Sequence, residues 1–312
     1  MEGKYRHLFE KKEEYIERTK KLMGDELEIF LEYMSRRIPD TIRTNTIKIS
    51  PKRLKEKLEK RGVILKQENF YTSAFTILEK NNITLGNTPE HFLGYFYSQE
   101  LVSMLPALVL SPKKGETILD LCAAPGSKTT QLSQLMENTG IIVANDVKKD
   151  RIKALASNCQ KCGCINVMVT LKNGKYFENL NTKFDRVLLD APCSGETMFR
   201  KSWKYLKDWR LSTVFESSSL QKRLILSAYN CLKPGGRMVY STCTLSKEEN
   251  EDVVSHLLEK TNAEIKEIKI ENLKTREGIP DKNEELKKCI RVYPQDNDTG
   301  TFFLSLIERP IE

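Results

Sequence analysis

Short apolar runs alternate with longer amphipathic stretches over the larger, C-terminal part of the chain. The apolar runs predict β-strands, at residues 117–121, 141–145, 167–171, 184–189 and 237–241. The stretches around them repeat apolar residues at helical spacing and predict helices, at residues 97–110, 129–136, 149–161 and 215–232. A Lys-Pro-Gly-Gly run at 233–236 is expected to end the last of these helices. Strands that alternate with helices form parallel sheets, so the pattern predicts a doubly wound, mostly parallel α/β sheet of the Rossmann-like type.

The first 91 residues follow a different pattern, in which helices precede short strands. Amphipathic stretches predict helices at 5–22 and 25–37, and a strand-like stretch follows at 41–49. Ser50-Pro51 then predicts the start of a basic helix that reaches Lys60, before strand character resumes at 63–65. We therefore predict a smaller N-terminal α/β domain over residues 1–91 and a larger domain over residues 92–312.

Composition limits the class of protein. The 312 residues are 39% hydrophobic, which is enough to give each domain a core. No apolar stretch is long enough to cross a membrane, and the first residues are densely charged, so we expect a cytoplasmic protein without a membrane partner. Eight cysteines without a secretory signal are expected to be reduced thiols. We also expect the chain to be a monomer.

The cysteine spacing does not predict a metal site. Cys159, Cys162 and Cys164 resemble half of a zinc knuckle. No second Cys-x-x-Cys and no paired-histidine motif accompanies them, so we expect no metal.

Basic residues are concentrated in two stretches. Nine lysines and arginines lie between Arg43 and Lys66, opposed only by Glu56 and Glu59. The second stretch, at 200–210, interleaves five basic residues with Trp203, Tyr205 and Trp209. Taken alone, each stretch is equally well explained as a solvated helix face. Together they favour a nucleic-acid partner, because basic groups neutralise phosphates and aromatic rings stack on bases.

A strand, a small-residue turn and a helix start follow one another at 118–129, which is the layout of a cofactor-binding loop. Asp146 ends the next predicted strand, where a carboxylate can accept both hydroxyls of a ribose. The turn lacks the three glycines of a dinucleotide site and the Gly-Lys-Ser/Thr of a P-loop, which disfavours NAD and ATP. S-adenosylmethionine fits better, and its sulfonium charge would favour nearby acids such as Asp120 and Asp190.

Two thiols follow apolar runs: Cys193 in Asp-Ala-Pro-Cys-Ser-Gly (190–195) and Cys243 in Tyr-Ser-Thr-Cys-Thr-Leu-Ser-Lys-Glu-Glu-Asn-Glu (240–251). Both are expected at the edge of the sheet where ligands of open α/β folds bind. Cysteines there are candidate nucleophiles. The residues alone do not tell which of the two thiols attacks.

These two motifs and Asp-Leu-Cys-Ala-Ala-Pro-Gly-Ser-Lys-Thr (120–129) together resemble the RNA cytosine-C5 methyltransferases of the NOL1/NOP2/Sun family. Matches at 43–48 (Arg-Thr-Asn-Thr-Ile-Lys), 97–100, 291–294 and 300–303 extend the resemblance over most of the chain. It implies an S-adenosylmethionine-dependent methyltransferase domain at 92–312 and an RNA-recognition domain at 1–91. It also implies that Cys243 attacks the cytosine and Cys193 assists release of the product. DNA cytosine-C5 methyltransferases instead place their nucleophile in a Pro-Cys dipeptide, here Pro192-Cys193, and this remains the competing assignment.

The resemblance implies further site residues. Asp190 would bond the cytosine edge, and Lys128 would help orient the pocket. The residues implied around the cofactor are Cys122, Ala123, Ala124, Pro125, Gly126, Ser127, Lys128, Asp146, Arg151, Asn173 and Asp190. The residues expected to contact RNA are Arg43, Asn45 and Lys48 in the first basic stretch, and Arg200 and Lys201 in the second.

Three positions depart from the family pattern. Ser127 replaces a glycine, Asn173 an aspartate that faces the adenine, and Thr301 a glycine. We expect weaker cofactor binding rather than loss of function. Transfer RNA is favoured over ribosomal RNA as the substrate, and the alternative function is a catalytically weak or inactive RNA-binding or assembly factor that retains the fold. An amino-group methyltransferase is disfavoured because Asp190 is followed by Ala-Pro-Cys instead of Pro-Pro and an aromatic residue.

Overall fold

A computed structural model describes residue 9, residues 12–281 and residues 283–311 of the chain. The first part of the helix predicted at 5–22 lies outside these residues. The described part of that region forms helix α1 (Glu13–Met23), and α2 (Leu27–Met34) replaces the longer helix predicted at 25–37.

The N-terminal unit is built on a four-stranded antiparallel sheet. Its strands are β1 (Thr41–Thr44), β2 (Ile64–Gln67), β3 (Ala74–Glu79) and β4 (Phe96–Ser98), in the order β2-β3-β1-β4. Helix α3 (Pro51–Glu59) begins where Ser50-Pro51 predicted, because the Ser50 hydroxyl accepts a hydrogen bond from the backbone N–H of Arg53 at 3.4 Å. Helix α4 (Pro89–Phe92) precedes β4.

The prediction of a single helix at 97–110 is wrong. Strand β4 occupies its beginning, and helix α5 covers only Leu105–Leu110. The polar residues Gln99 and Glu100 interrupt the apolar pattern there, and both side chains are used in buried or partly buried hydrogen bonds. Strand β4 lies beyond the expected domain boundary at 91 and pairs with β1 of the N-terminal unit.

The second unit contains the expected parallel sheet. Its strands are β5 (Thr117–Asp120), β6 (Ile141–Asp146), β7 (Val167–Leu171), β8 (Phe184–Asp190) and β9 (Leu232–Thr242), in the parallel order β7-β6-β5-β8-β9. The sheet then continues with antiparallel strands that the sequence pattern did not predict. These are β10 (Glu264–Lys266), β11 (Arg276–Glu277), β12 (Ile290–Val292) and β13 (Phe302–Glu308), with β13 beside β9.

Helices cover both faces of this sheet, which confirms the doubly wound α/β fold. They are α5, α6 (Ser127–Leu135), α7 (Lys149–Cys162), α9 (Leu211–Asn230) and α10 (Glu251–Lys260). Helices α8 (Trp203–Asp208) and α11 (Pro294–Asn297) lie beside the N-terminal helices. Neighbouring strand residues point to opposite faces: Leu119 packs in a core with α9 and α10, and Ile118 packs in a core with α5 and α6. Strands buried on both faces explain the continuous apolar runs in the sequence.

The Lys-Pro-Gly-Gly run lies elsewhere than predicted. Helix α9 ends at Asn230, and residues 233–236 form the beginning of strand β9. A shift in the register between β8 and β9 accommodates this run.

The two units share a third apolar core. Phe30 and Tyr15 of the N-terminal helices pack with Phe199 and Trp209, and the Tyr15 and Trp209 ring centroids lie 5.3 Å apart. Across the described ranges, no helix is both long and apolar enough to cross a membrane.

Candidate active site

The loop between β5 and α6 forms one wall of a cleft at the carboxyl edge of the parallel strands. Gly126 adopts φ +104°, and a Cβ there would lie 2.9 Å from the Leu155 side chain, so this turn requires glycine. Asp120 supports the loop by accepting a hydrogen bond from the Thr129 hydroxyl at 2.7 Å. Burial raises the pKa of Asp120 to about 7. Asp120 does not line the cleft, so of the two acids expected near a sulfonium only Asp190 reaches it.

The cleft encloses about 570 Å³ and combines apolar walls with a few polar groups. Leu121, Leu224 and Met198 supply apolar surface, and Asp146 and Asn173 supply hydrogen-bonding atoms. The Asp146 carboxylate accepts bonds from the Ala124 and Lys148 N–H groups at 3.3 and 3.0 Å, which fixes its position at the end of β6. Apolar walls for a base beside a fixed carboxylate for a ribose fit the adenosyl part of S-adenosylmethionine.

Six of the eleven residues predicted around the cofactor line the cleft: Cys122, Ala124, Asp146, Arg151, Asn173 and Asp190. The other five, Ala123, Pro125, Gly126, Ser127 and Lys128, shape the loop and the first turn of α6. The Asn173 amide oxygen already accepts a hydrogen bond from the Lys175 N–H at 3.2 Å. A second lone pair on that oxygen is still available for an adenine amino group.

Both predicted thiols line the same cleft. Cys193 follows β8 and Cys243 follows β9, and these parallel neighbours pair Asp190 with Ser241. The two Sγ atoms are 3.3 Å apart. The pKa of Cys193 is raised well above its usual range, mainly by its hydrogen-bond contact with Cys243 and secondly by burial. Cys193 therefore holds its proton more tightly than an ordinary cysteine.

A carboxylate and an ammonium lie beside the thiols. The Asp190 carboxylate accepts hydrogen bonds from Lys128 Nζ at 2.7 Å and from the Ser241 hydroxyl at 2.8 Å. Lys128 is 7% exposed and also donates to the Ser103 hydroxyl at 3.0 Å. This pair can hold a polar ring edge next to Cys243.

Three successive side chains after Cys243 fix the thiol segments, a role that was not predicted from the sequence. Glu249 accepts bonds from the Ser194 and Gln221 side chains, and Asn250 bonds both Thr242 and Thr244 on either side of Cys243. Glu251 pairs with Arg291, which donates to the Leu245 carbonyl at 2.9 Å. Their signal was the Glu-Glu-Asn-Glu run inside the motif that contains Cys243.

The structure corrects the prediction that Arg43 and Asn45 face RNA, because both are 1% exposed. Arg43 donates to Gln99 at 2.6 Å, to the Ser127 carbonyl at 2.7 Å and to the Thr130 hydroxyl at 2.9 Å. Asn45 donates to the backbone carbonyls of Gly94 and Cys162 at 2.8 and 2.7 Å. These residues join the N-terminal unit to the cofactor loop and to the end of α7.

The other residues expected to contact RNA include one buried and two exposed side chains. Arg200 is buried and donates to the Thr299 carbonyl and to Asp298, which corrects its predicted contact with RNA. Trp209, expected to stack on bases, is buried as well. Lys48 is exposed, but its Nζ donates to the Leu93 and Lys161 carbonyls at 2.9 and 2.6 Å. Lys201 is exposed to solvent.

The cysteines at 159, 162 and 164 do not form a metal site in the described part of the chain, where no group of three potential ligands is close enough to hold an ion. Cys159 and Cys162 are buried, and Cys164 is half-buried. Cys159 packs with Leu155 against the cofactor loop.

Comparison with known proteins gives consistent matches. The family model of the 16S rRNA methyltransferases RsmB/F matches residues 107–308, and that of the N-terminal domain of RsmF matches residues 12–101. A tRNA (cytosine(49)-C(5))-methyltransferase of Pyrococcus abyssi is 43% identical over 98% of this chain and 99% of that protein. The ribosomal RNA small subunit methyltransferase F of Vibrio vulnificus is 39% identical over 95% of this chain, which spans only 64% of the relative.

Two solved structures are also similar. A methyltransferase homologue from Pyrococcus horikoshii has a TM-score of 0.85 at 33% identity, and the match covers 94% of this chain and 93% of that one. NSun6 from the same organism, solved with the S-adenosylmethionine analogue SFG, has a TM-score of 0.84 at 25% identity, covering 95% of this chain and 98% of that one. The fold and site define an S-adenosylmethionine-dependent methyltransferase. The chain belongs to the RsmB/F family of RNA cytosine-C5 methyltransferases, which confirms the resemblance carried by its motifs.

Proposed function

We propose that this protein methylates C5 of a cytosine in transfer RNA through a transient covalent bond between Cys243 Sγ and C6 of the base. The observation that carries the proposal is the pair of thiols 3.3 Å apart in the cleft, beside Asp190. The choice of transfer RNA is supported by the Pyrococcus abyssi relative, which is named for a tRNA cytosine and aligns over 99% of its length. The rRNA relative aligns over only 64% of its length.

The residues perform distinct steps. C5 of cytosine is a weak nucleophile, and addition of the Cys243 thiolate to C6 moves the C5–C6 π electrons onto C5. Attack at C6 makes N3 more basic, so N3 takes up a proton from solvent. Asp190, held by Lys128 and Ser241, accepts hydrogen bonds from this N3–H and from the N4 amino group. Bound S-adenosylmethionine supplies the electrophilic methyl group. Loss of the C5 and N3 protons to water then restores the C5–C6 double bond and expels Cys243 as a thiolate, with Cys193 assisting this breakdown.

The cleft residues Cys122, Ala124, Asp146, Arg151, Asn173 and Asp190 would hold the cofactor. Asp146 would accept the ribose hydroxyls, and Asn173 would meet the adenine. Calorimetry with S-adenosylmethionine is expected to show saturable binding. Absence of binding would favour the alternative of an RNA-binding or assembly factor that retains the fold.

For the RNA, we propose that contact is made by exposed basic side chains rather than by the buried motif residues. Lys201 is one such residue, and the N-terminal unit contributes the exposed side chains of Lys52, Arg53 and Lys57 on α3. Basic groups at these positions would bind backbone phosphates and position the RNA without reading its sequence.

Two cysteine variants test the covalent mechanism. Cys243→Ala is expected to abolish both methyl transfer to a tRNA transcript and formation of a protein–RNA adduct, because no thiolate can add to C6. Cys193→Ala is expected to accumulate the adduct, seen as a slow band on denaturing gels, because breakdown is impaired. Cys231→Ala, which removes a thiol buried in the core, is the matched control and is expected to turn over normally. The reverse behaviour of Cys193→Ala and Cys243→Ala would contradict the assignment.

A further inference from the structure

Two buried glutamates lie behind the thiol pair. Glu249 is 0% exposed and accepts hydrogen bonds from the Ser194 N–H and from Gln221 Nε2, both at 2.9 Å, and from the Ser194 hydroxyl. Glu196 is 2% exposed and accepts bonds from the Thr244 hydroxyl at 2.8 Å and the Leu245 N–H at 2.5 Å. Each carboxylate therefore fixes the residue that directly follows one of the two cysteines.

The two carboxylates belong to one hydrogen-bonded network. The Ser194 and Thr244 hydroxyl oxygens are 3.0 Å apart and join the Glu249 side to the Glu196 side. Gln221 Nε2 also donates to the Pro192 carbonyl at 2.8 Å, so Glu249 and Gln221 together hold both neighbours of Cys193. A displacement of the Glu249 carboxylate would thus move the loop that carries Cys193.

No basic side chain pairs with either glutamate in the part of the chain that the structure describes. The titratable groups that interact with Glu249 are Glu196, Cys193 and Tyr240, whose hydroxyl donates to the Glu249 carbonyl oxygen at 2.5 Å. The nearby cations are engaged elsewhere: Arg18 with Glu248, Lys247 with Asp252 and Asp281, and Arg291 with Glu251. The charge of an ionised Glu249 is therefore not neutralised by an ion pair and acts on its surroundings.

We propose that Glu249 is a positioning residue for Cys193: it fixes the Cys193 loop through Ser194 and Gln221, and its carboxylate places a negative charge behind Cys193 while Cys243 serves as the nucleophile. Burial raises the pKa of Glu249 to about 7, so the carboxyl ionises near neutral pH. That charge adds to the effects of Cys243 and of burial, which raise the pKa of Cys193. The division of labour between the thiols rests on the proposed function, whereas the electrostatic link between Glu249 and Cys193 does not.

The test measures the reactivity of Cys193 itself, in the full-length protein without RNA or cofactor. In a Cys243→Ala background, the rate at which iodoacetamide alkylates Cys193 is followed against pH by peptide mass spectrometry. Adding Glu249→Gln removes the charge and keeps the side-chain shape, so the midpoint is expected to fall by about one pH unit. Alkylation below both midpoints then becomes about tenfold faster.

A matched variant separates the charge next to Cys193 from a general change in the network. Glu196→Gln removes the other buried carboxylate, which holds the Thr244 side, and is expected to move the Cys193 midpoint by less than half as much. An unchanged midpoint in Glu249→Gln, or equal shifts in both variants, would overturn the proposal.

Glu249→Asp provides a further measurement in case Glu249→Gln does not fold. The aspartate keeps the charge but shortens the reach to Ser194, so the Cys193 midpoint is expected to remain within about 0.3 pH unit of its original value. A fall of about one unit in this variant would contradict the role given to the charge.

The consequence for turnover is tested separately with RNA. In the otherwise unaltered enzyme, Glu249→Gln is expected to change the pH profile of adduct breakdown more than that of adduct formation, because Cys193 assists only the former. If the unaltered protein forms no adduct and transfers no methyl group, the proposed function fails. The alkylation result still decides the link between Glu249 and Cys193.

Discussion

Two groups of residues belong to recognisable motifs but have different roles. One group follows strands β8 and β9, and the other joins the N-terminal unit to the cofactor loop. Cys193 and Cys243 open onto the cleft with their sulfurs 3.3 Å apart. Arg43 and Asn45 are 1% exposed and bond other parts of the protein. Presence in a motif therefore does not distinguish a residue that meets a ligand from one that holds the fold.

The difference has a physical cause. A cysteine has a short side chain, so at the end of a parallel strand it stays at the ligand-binding edge of the sheet. An arginine has a long side chain with five donors, so it can cross a junction and satisfy several acceptors at once. Arg43 uses this reach to hold the Ser127 carbonyl at the start of α6.

The largest effect is expected from substitution of Asp190, which lines the cleft. Asp190→Asn removes the carboxylate that accepts from Lys128 and Ser241, so single-turnover methyl transfer is expected to fall about 10²- to 10³-fold with RNA affinity unchanged. Rapid quench measures the transfer rate, and fluorescence anisotropy measures binding. Asp208→Asn, at an exposed position on α8, is the control. If Asp190→Asn loses stability but keeps its rate of methyl transfer, Asp190 has a structural and not a catalytic role.

The next largest effect is expected from substitution of Arg43, which is buried between the N-terminal unit and the cofactor loop. Arg43→Met leaves the buried side-chain oxygen of Gln99 without its Arg43 donor and removes the bond to the Ser127 carbonyl, so it is expected to reduce the free energy of unfolding by about 2–3 kcal/mol. Urea denaturation measures this loss, and calorimetry is expected to show weaker S-adenosylmethionine binding. Arg53→Met, on the exposed face of α3, should change stability by less than about 0.5 kcal/mol. Unchanged stability with weaker RNA binding in Arg43→Met would restore the original prediction.

The smallest effect is expected from Lys201, which is exposed near buried Arg200. Lys201→Ala should leave stability unchanged and weaken RNA binding, with the slope of log K against log salt reduced by about 1. Anisotropy titrations at several salt concentrations measure this slope. A slope equal to that of the unaltered protein would show that Lys201 does not contact a phosphate.

The parallel part of the sheet could be predicted because its strands are apolar on both faces, as Ile118 and Leu119 show. The strands at the antiparallel edge could not: β11 has two residues and β12 three, which is too short for a periodic pattern. The seven-residue apolar strand β13 is long enough to give such a pattern and was missed. The helix predicted at 97–110 failed because the polar side chains of Gln99 and Glu100 are satisfied by distant partners, including the Gly300 N–H. Contacts between residues far apart in the chain leave no local pattern.

The candidate site, too, could be predicted from the sequence only in part. The sequence predicted that both thiols lie at one edge of the sheet, because both follow apolar strands. The short distance between them depends on β8 and β9 being neighbours, which strand patterns do not encode. The contact of Glu249 with Ser194 joins positions 55 residues apart and could be found only in the folded chain.

The proposed mechanism requires a bond between the sulfur of Cys243 and C6 of a cytosine. A tRNA transcript that carries 5-fluorocytidine tests it directly, because fluorine at C5 leaves no proton to lose after methyl transfer and the adduct cannot break down. Digestion and mass spectrometry are expected to place the modified nucleotide on the peptide that contains Cys243. A nucleotide attached to Cys193 instead, or no attached nucleotide in the presence of S-adenosylmethionine, would rule out Cys243 as the nucleophile.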